Sequence, residues 1–167
     1  MQGKNIVLCG MPGCGKTTVG KIISKKLNIQ FIDLDLLIEE KQSMKIKQIF
    51  SDFGEEYFRE LETKTLKELK GSFVLSLGGG AVMRDENIQI IKKIGKLFYI
   101  KTDLKNIYGR IKSDTSRPLL NCYNPYQKLE ELFKSREERF NLADFKVNGN
   151  SYPDIVADEV IKIYENN

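Results

Sequence analysis

Five short apolar runs alternate with segments of helical pattern along the chain. The runs occupy residues 5–9, 29–32, 73–77, 96–100 and 145–147. Runs of this length are typical of buried strands, and the segments between them repeat apolar residues every three or four positions, as amphipathic helices do. Strands that alternate with helices form a parallel sheet covered on both faces. The pattern therefore predicts an α/β protein of three layers, α/β/α, around a central five-stranded parallel sheet.

Two segments depart from this alternation. About forty residues, roughly 34–71, separate the second and third runs, where a connection of a few residues is usual. Helical patterns that include Phe58, Leu61 and Leu69 fill much of this insertion, which we interpret as a substrate-binding element. Residues 113–123 are polar with little periodicity, and we interpret them as a mobile lid. Since no linker divides the chain, we expect one domain over residues 1–167.

Composition and charge narrow the functional classes. The net charge of +4 is spread along the chain, so we do not expect a nucleic-acid surface. No window of about 18 apolar residues occurs, so we expect a cytoplasmic protein without a membrane partner. We also expect it to act as a monomer. Three cysteines without a C-x-x-C spacing, and no histidine, argue against disulfides and structural zinc. Acid-base chemistry must then rest on carboxylates, Lys, Tyr or Cys.

A glycine-rich segment between the first run and the first helical pattern carries the clearest chemistry. Residues 10–17 fit G-x-x-x-x-G-K-[ST] in the strand-to-helix context that a phosphate-binding loop requires. In such a loop the lysine reaches the β- and γ-phosphates and the hydroxyl ligates magnesium, while a chance glycine turn is the plain alternative. The residues predicted to hold ATP are Gly10, Met11, Pro12, Gly13, Cys14, Gly15, Lys16, Thr17 and Thr18. Because Cys14 precedes a helix and lies near Lys16, we also expect its thiol to be more reactive than that of Cys9.

Two aspartates end the second run, at the sheet edge where ligands bind in folds of this type. Asp33 and Asp35 are two residues apart, so an extended chain would project both carboxylates from one side. Asp33 could hold magnesium together with Thr17, and Asp35 could accept the proton of an acceptor hydroxyl. The alternative for either aspartate is a helix cap near Leu36.

Several motifs in a fixed order carry a family resemblance. Besides the phosphate loop they are residues 31–35 (FIDLD), 58–62 (FRELE), 75–81 (LSLGGGA) and 117–120 (RPLL), followed by Arg136. In these residues, and over about residues 4–163, the chain resembles the shikimate kinases. The resemblance implies a nucleoside monophosphate kinase-like P-loop fold with sheet order 2-3-1-4-5. It also implies magnesium-dependent transfer of the ATP γ-phosphate to shikimate.

The resemblance further implies a substrate site built from Asp35, Arg59, Gly78, Gly79, Gly80 and Arg136. An arginine fork suits a carboxylate, although Arg59 could instead pair with Glu55 on its own helix. Glycines let the backbone approach a ligand closely, although a bare tight turn would need fewer of them. Arg136 falls on the apolar face of a helical pattern, so it needs an anionic partner, either a ligand or a protein carboxylate.

The remaining residues implied by the resemblance surround the nucleotide. Arg117 corresponds to a lid arginine that joins Lys16 and Asp35 in catalysis, and it also contacts ATP. Arg110 and the segment Ser151, Tyr152, Pro153 fall where the family encloses adenine. Phe140 stands where many relatives carry tyrosine. Rival functions are a gluconate or nucleoside monophosphate kinase of the same fold, or a regulatory module switched by ATP.

Overall fold

Five parallel strands form the central sheet of the protein. The structure is a computed structural model, which describes residues 5–112 and 123–167. The order β2-β3-β1-β4-β5 confirms the arrangement that the family resemblance implied. Each strand also lies within two residues of its predicted bounds at either end. The strands are β1 Asn5–Cys9, β2 Gln30–Asp33, β3 Phe73–Ser76, β4 Gly95–Lys101 and β5 Phe145–Asn148.

Seven helices are found in the described residues, and they pack on the two faces of the sheet or extend beyond its carboxyl edge. They are α1 Lys16–Leu27, α2 Leu34–Gln42, α3 Ile46–Glu68, α4 Asp85–Ile94, α5 Leu104–Ile111, α6 Pro125–Phe140 and α7 Pro153–Glu165. A 3-10 turn, Ala81–Met83, precedes α4. The central strands are fully buried because helices cover both of their faces, as the unbroken apolar runs predicted.

The insertion between β2 and β3 consists of α2 and α3. Gly54, with φ 86° and ψ 172°, interrupts the helical backbone of α3, so the helix turns away from the sheet in two segments. After this break Phe58, Leu61 and Leu66 are buried, which anchors the second segment to the core. That anchoring gives the polar residues between them a defined position above the sheet edge.

The apolar face of α6 packs as its periodicity predicted. Phe140 is fully buried, and its ring stacks on Tyr99 of β4 with centroids 5.1 Å apart and planes 20° apart. A hydrophobic pocket of this kind suits phenylalanine, which has no hydroxyl to satisfy.

Residues 113–122 lie outside the described residues, and with them the predicted lid and Arg117; only Tyr123, at its end, is described. Among the described residues, no helix combines the length and the apolar character needed to cross a membrane.

Candidate active site

The phosphate loop occupies residues 10–15, between the carboxyl end of β1 and the start of α1. Gly10, Gly13 and Gly15 have φ of 148°, 82° and 106°, a backbone region that side chains rarely permit. These conformations let the loop wrap around a small volume in front of the helix N-terminus, where free backbone N–H groups favour an anion. The predicted loop is therefore present with the geometry that its motif requires.

Lys16 lies across this loop in the structure. Its Nζ donates hydrogen bonds to the carbonyl oxygens of Gly10, at 2.9 Å, and Met11, at 3.0 Å, and the residue is only 9% exposed. Lys16 lines a cleft of about 380 Å³ that continues from the loop to Asp35 and Gly79. Phosphate binding would exchange these carbonyl partners for the stronger attraction of an anion.

Asp33 caps α2 with one carboxylate oxygen and contacts Thr17 with the other. Its Oδ1 accepts hydrogen bonds from the backbone N–H groups of Asp35, at 3.1 Å, and Leu36, at 3.3 Å, and so caps α2. Its Oδ2 accepts a hydrogen bond from Oγ1 of Thr17 at 3.1 Å. The helix cap thus fixes the carboxylate beside the hydroxyl that the loop motif assigns to magnesium.

The expected extended geometry of Asp33 and Asp35 is wrong. Asp35 lies in the first turn of α2, because the helix begins at Leu34 rather than near Leu36. Its carboxylate nevertheless lines the same cleft as Lys16. Burial and, after it, the charge of Asp33 raise the pKa of Asp35 to about 6, against the opposing charges of Lys16 and Arg59. One oxygen, Oδ1, is buried without a hydrogen-bond partner among the described residues, which leaves it free to accept from a ligand.

Arg59 projects from α3 into the far end of the site. Its Nη1 pairs with Oε2 of Glu62 at 2.6 Å and its Nη2 with Oε1 of Glu55 at 3.3 Å. The weaker contact, with the exposed Glu55, is the helix pair that the sequence offered as an alternative role. The wholly buried Glu62 instead fixes the guanidinium in place, with the arginine side chain 15% exposed.

Each glycine of the segment 78–80 lies against a different polar side chain of the site. A β-carbon built on each would come within 2.6 Å of a charged group. The three pairs are Gly78 with Asp35 Oδ1 at 2.5 Å, Gly79 with Arg136 Nη1 at 2.6 Å, and Gly80 with Arg59 Nη2 at 2.4 Å. A bare turn would not require three glycines, whereas this close approach does. We refer to residues 78–80 as the glycine segment.

Arg136 of α6 meets the glycine segment from the side opposite α3. Burial lowers the pKa of Arg136, and the nearby positive charge of Arg59 lowers it further. Among residues 5–112 and 123–167, no carboxylate lies within ion-pair distance of Arg136. A half-buried guanidinium without a carboxylate partner, next to a second guanidinium, provides a site for an anion.

The nucleotide side of the site is assembled by Arg110 of α5. Its Nη1 donates to the carbonyl of Cys14 at 3.1 Å and its Nη2 to the carbonyl of Gly149 at 2.8 Å. Beside it lies a cleft of about 690 Å³, whose lining includes Thr18, Ser151, Tyr152 and Pro153. The structure thus brings together the residues that were predicted around adenine. Pro153 also begins α7, so its plain role is present as well.

The greater reactivity of the Cys14 thiol relative to that of Cys9 stays a prediction. Nζ of Lys16 lies 3.8 Å from Sγ of Cys14, and burial raises the pKa of Cys9. Cys14 and Cys9 are each 1% exposed, so both pack as small core residues. In the phosphate loop Cys14 can serve through its backbone, whose carbonyl already holds Arg110.

Three polar residues behind the glycine segment were missed by sequence reasoning. Thr63 of α3 and Asn87 of α4 are buried and hydrogen-bonded to each other, and Arg139 of α6 donates to the carbonyl of Val82 at 2.9 Å. The available signal was a polar residue, Asn87, on the apolar face of a helix next to Ile88 and Ile91. A lone asparagine in that position is too common to indicate a site.

The fold and the site define a P-loop phosphotransferase. A phosphate-binding loop with its lysine adjoins an aspartate with a raised pKa and a pair of half-buried arginines, and one cleft connects the loop to the aspartate and the glycine segment. This combination belongs to kinases that phosphorylate a small anionic acceptor.

Comparisons with known proteins identify the family. The family model described as "Shikimate kinase" matches residues 12–165. The chain is 42% identical to a shikimate kinase of Thermodesulfovibrio yellowstonii over 97% of this chain and 95% of the relative. It is 41% identical to one from a Sulfurihydrogenibium species, over 95% and 96%. The structure of shikimate kinase from Acinetobacter baumannii in complex with shikimate is similar, with a TM-score of 0.90 and 34% identity over 98% and 94% of the two chains. The chain belongs to the shikimate kinase family, whose members are ATP-dependent kinases that phosphorylate a hydroxyl of shikimate.

Proposed function

We propose that this chain transfers the γ-phosphate of ATP to the 3-hydroxyl of shikimate, producing shikimate 3-phosphate and ADP, with magnesium bound to the nucleotide. The observation that carries the proposal is the convergence of Asp35, Arg59 and Arg136 on the glycine segment. Shikimate has one carboxylate and several ring hydroxyls. The site offers two guanidinium groups for the carboxylate of shikimate, and a protein carboxylate with a free oxygen for its hydroxyls.

The proposed roles at the ATP end follow from the loop. Lys16 and the backbone N–H groups of residues 10–18 neutralise the phosphates, and Arg110 with residues 151–153 encloses adenine. Thr17 and Asp33 are the residues that would hold magnesium, Asp33 through water. Their hydroxyl and carboxylate oxygens, which are hydrogen-bonded to each other at 3.1 Å, are the donor types that this ion prefers. The ion, when bound, would neutralise charge on the transferring phosphate.

At the acceptor end, the carboxylate of shikimate lies between Arg59 and Arg136 in our proposal. A bound anion would offset the burial and the nearby positive charge of Arg59 that lower the pKa of Arg136 in the free protein. The N–H groups of Gly78, Gly79 and Gly80 can approach the ligand closely because glycine has no side chain of its own.

Asp35 orients the attacking hydroxyl and accepts its proton. With a pKa of about 6 the carboxylate is ionised near neutral pH yet basic enough to take part in proton transfer. In the loose transition state of phosphoryl transfer, positioning supplies much of the effect. Arg117 would bring a second cation to the γ-phosphate as the segment 113–123 closes over the site.

The test offers MgATP with shikimate, gluconate or nucleoside monophosphates in separate reactions and follows ADP release, with ³¹P NMR to identify the product. We expect rapid ADP release with shikimate alone and a new phosphate ester at its 3-hydroxyl. Comparable turnover of gluconate without turnover of shikimate would refute the proposal and favour the rival kinase function. Nucleotide binding without transfer to any acceptor would favour the regulatory alternative.

We propose in addition that the enzyme acts as a monomer in the cytoplasm, where ATP is available. Asp35, Arg59 and Arg136 of a single chain already converge on the glycine segment, so no second copy is needed to complete the acceptor site. Analytical ultracentrifugation in the presence of both substrates tests the first part. A dimer at concentrations used for kinetics would contradict it.

A further inference from the structure

We propose that Thr63 and Asn87 are positioning residues, which hold the glycine segment at a fixed distance from Arg59 and so set the affinity for the acceptor. The inference rests on the proposed function, since it names a determinant of acceptor binding in that same site. Neither side chain lines the cleft or touches a predicted ligand position. Their effect would be transmitted through hydrogen bonds.

Asn87 connects α4 to the turn that follows the glycine segment. The residue is fully buried, and its Nδ2 donates to the carbonyl oxygen of Ala81 at 2.9 Å. The 3-10 turn there continues the glycine segment directly, with the N–H of Ala81 donating to Gly78 at 3.2 Å and that of Met83 to Gly80 at 3.0 Å. The position of the Ala81 carbonyl therefore helps to determine where Gly78 and Gly80 lie.

Thr63 connects the same asparagine to the helix that carries Arg59. Its Oγ1 donates to Oδ1 of Asn87 at 2.7 Å and lies 3.1 Å from the carbonyl oxygen of Arg59, one helical turn earlier. The amide orientation follows from these partners, because the carbonyl of Ala81 requires the nitrogen on its side and the threonine hydroxyl then meets the oxygen. A continuous path thus runs from the Arg59 backbone through Thr63 and Asn87 to Ala81.

The separation that this path controls is short, because the backbone of Gly80 leaves no room for a side chain beside Arg59. A β-carbon on Gly80 would lie 2.4 Å from the Arg59 guanidinium, so the two groups are already in close contact. The turn is held from its other side by Arg139, which donates to the carbonyl of Val82 at 2.9 Å and pairs with Asp85 at 2.8 Å. Adjacent carbonyls are therefore held by α4 and α6. Loss of one of these bonds would let the glycine segment shift relative to Arg59 while α6 still holds it near Arg136.

The central variant is Thr63→Val, which keeps the shape of the side chain and removes the hydroxyl. We expect the KM for shikimate to rise about three- to tenfold, the change in an equilibrium constant that loss of one ordinary hydrogen bond produces. The KM for ATP should stay within about twofold, because the phosphate loop is on another part of the sheet edge. Thr63→Ser restores the hydroxyl, so we expect it to recover most of the affinity.

Thr65→Val is the matched control. Thr65 is in the same helix and is 4% exposed, against 6% for Thr63, but it makes no hydrogen bond to the turn in the described residues. This variant should leave both KM values unchanged while reporting any general effect of a buried valine. An unchanged KM for shikimate in Thr63→Val would overturn the proposal. So would equal impairment of the Ser and Val variants, or a defect of the same size in Thr65→Val.

A second measurement makes the inference independent of the acceptor. Amide hydrogen exchange of the peptide containing residues 78–83, in the protein without substrates, should be faster in Thr63→Val than in Thr65→Val. If the parent enzyme does not phosphorylate shikimate, the proposed function fails while this exchange difference persists. If exchange is identical in the two variants, the connection itself is wrong even though shikimate is the substrate.

Discussion

Replacement of Gly80 by alanine places one methyl group directly against Arg59. The backbone of Gly80 has φ −102° and ψ −4°, which alanine adopts without strain. The variant therefore tests the close approach between the glycine segment and the guanidinium, with little contribution from backbone conformation.

The structure determines how large the disturbance must be. The added carbon would lie 2.4 Å from Nη2 and 2.6 Å from both Cζ and Nη1 of Arg59, whereas ordinary contacts begin near 3.4 Å. The guanidinium must therefore retreat by about 1 Å, the difference between those distances. Glu62 holds Nη1 at 2.6 Å and is itself fully buried, so it is poorly placed to follow. A misplacement of about 1 Å in a positioning group can cost on the order of 100-fold in rate.

We expect Gly80→Ala to lower kcat/KM for shikimate by about 10- to 100-fold, mainly through KM, with little change in the KM for ATP. Initial rates measured with each substrate varied in turn separate the two effects. Gly109→Ala is the control, because a methyl group there would have no neighbour within 4 Å. Kinetics of Gly80→Ala within about twofold of the parent would refute the argument that the glycine segment and Arg59 share one tightly fitted position.

Further predictions concern three charged groups, Asp35, Arg136 and Arg117. Because burial raises the pKa of Asp35 to about 6, kcat/KM should fall as the pH drops through that value. A flat pH profile between pH 5 and 8 would contradict the role of Asp35 as proton acceptor. Because its pKa is higher in the folded protein than in the unfolded chain, ionised Asp35 destabilises the folded state. The protonated carboxyl stabilises the folded state below about pH 4, and this stabilisation is lost as the pH rises through 6. Asp35→Asn should therefore abolish transfer, retain MgATP binding by calorimetry, and raise Tm at pH 8 but not at pH 4. Arg136→Met removes a cation that burial and Arg59 disfavour, so the Tm of the free protein should rise. The increase in Tm that shikimate causes in the parent should disappear, and its retention would exclude Arg136 from the acceptor site. Arg117→Lys should bind both substrates yet lose at least about tenfold in kcat, because lysine keeps the charge without the planar fork, and parent-like turnover would end its catalytic role.

The local pattern of the sequence was sufficient to predict the strands, most helices and the phosphate loop. Burial on both faces makes a strand apolar throughout, and one buried face makes a helix periodic, so both leave a signal within a few residues. The residues of the phosphate loop are likewise contiguous, and their backbone demands are met by the glycines themselves. The order of the strands has no such local signature. It came from the resemblance to a family.

Only the tertiary structure decided how distant residues meet. The sequence placed Asp35 in an extended segment, but the cap provided by Asp33 starts the helix earlier. The sequence predicted a reactive thiol at Cys14 because its loop precedes a helix, but only the structure showed that the side chain is buried. Three successive glycines predicted close approach of the backbone to a ligand, but only the structure showed that side chains from α2, α6 and α3 lie against them. The buried bond between Thr63 and Asn87 joins residues 24 positions apart, and no periodicity along the chain records such a pair because it depends on how two helices pack.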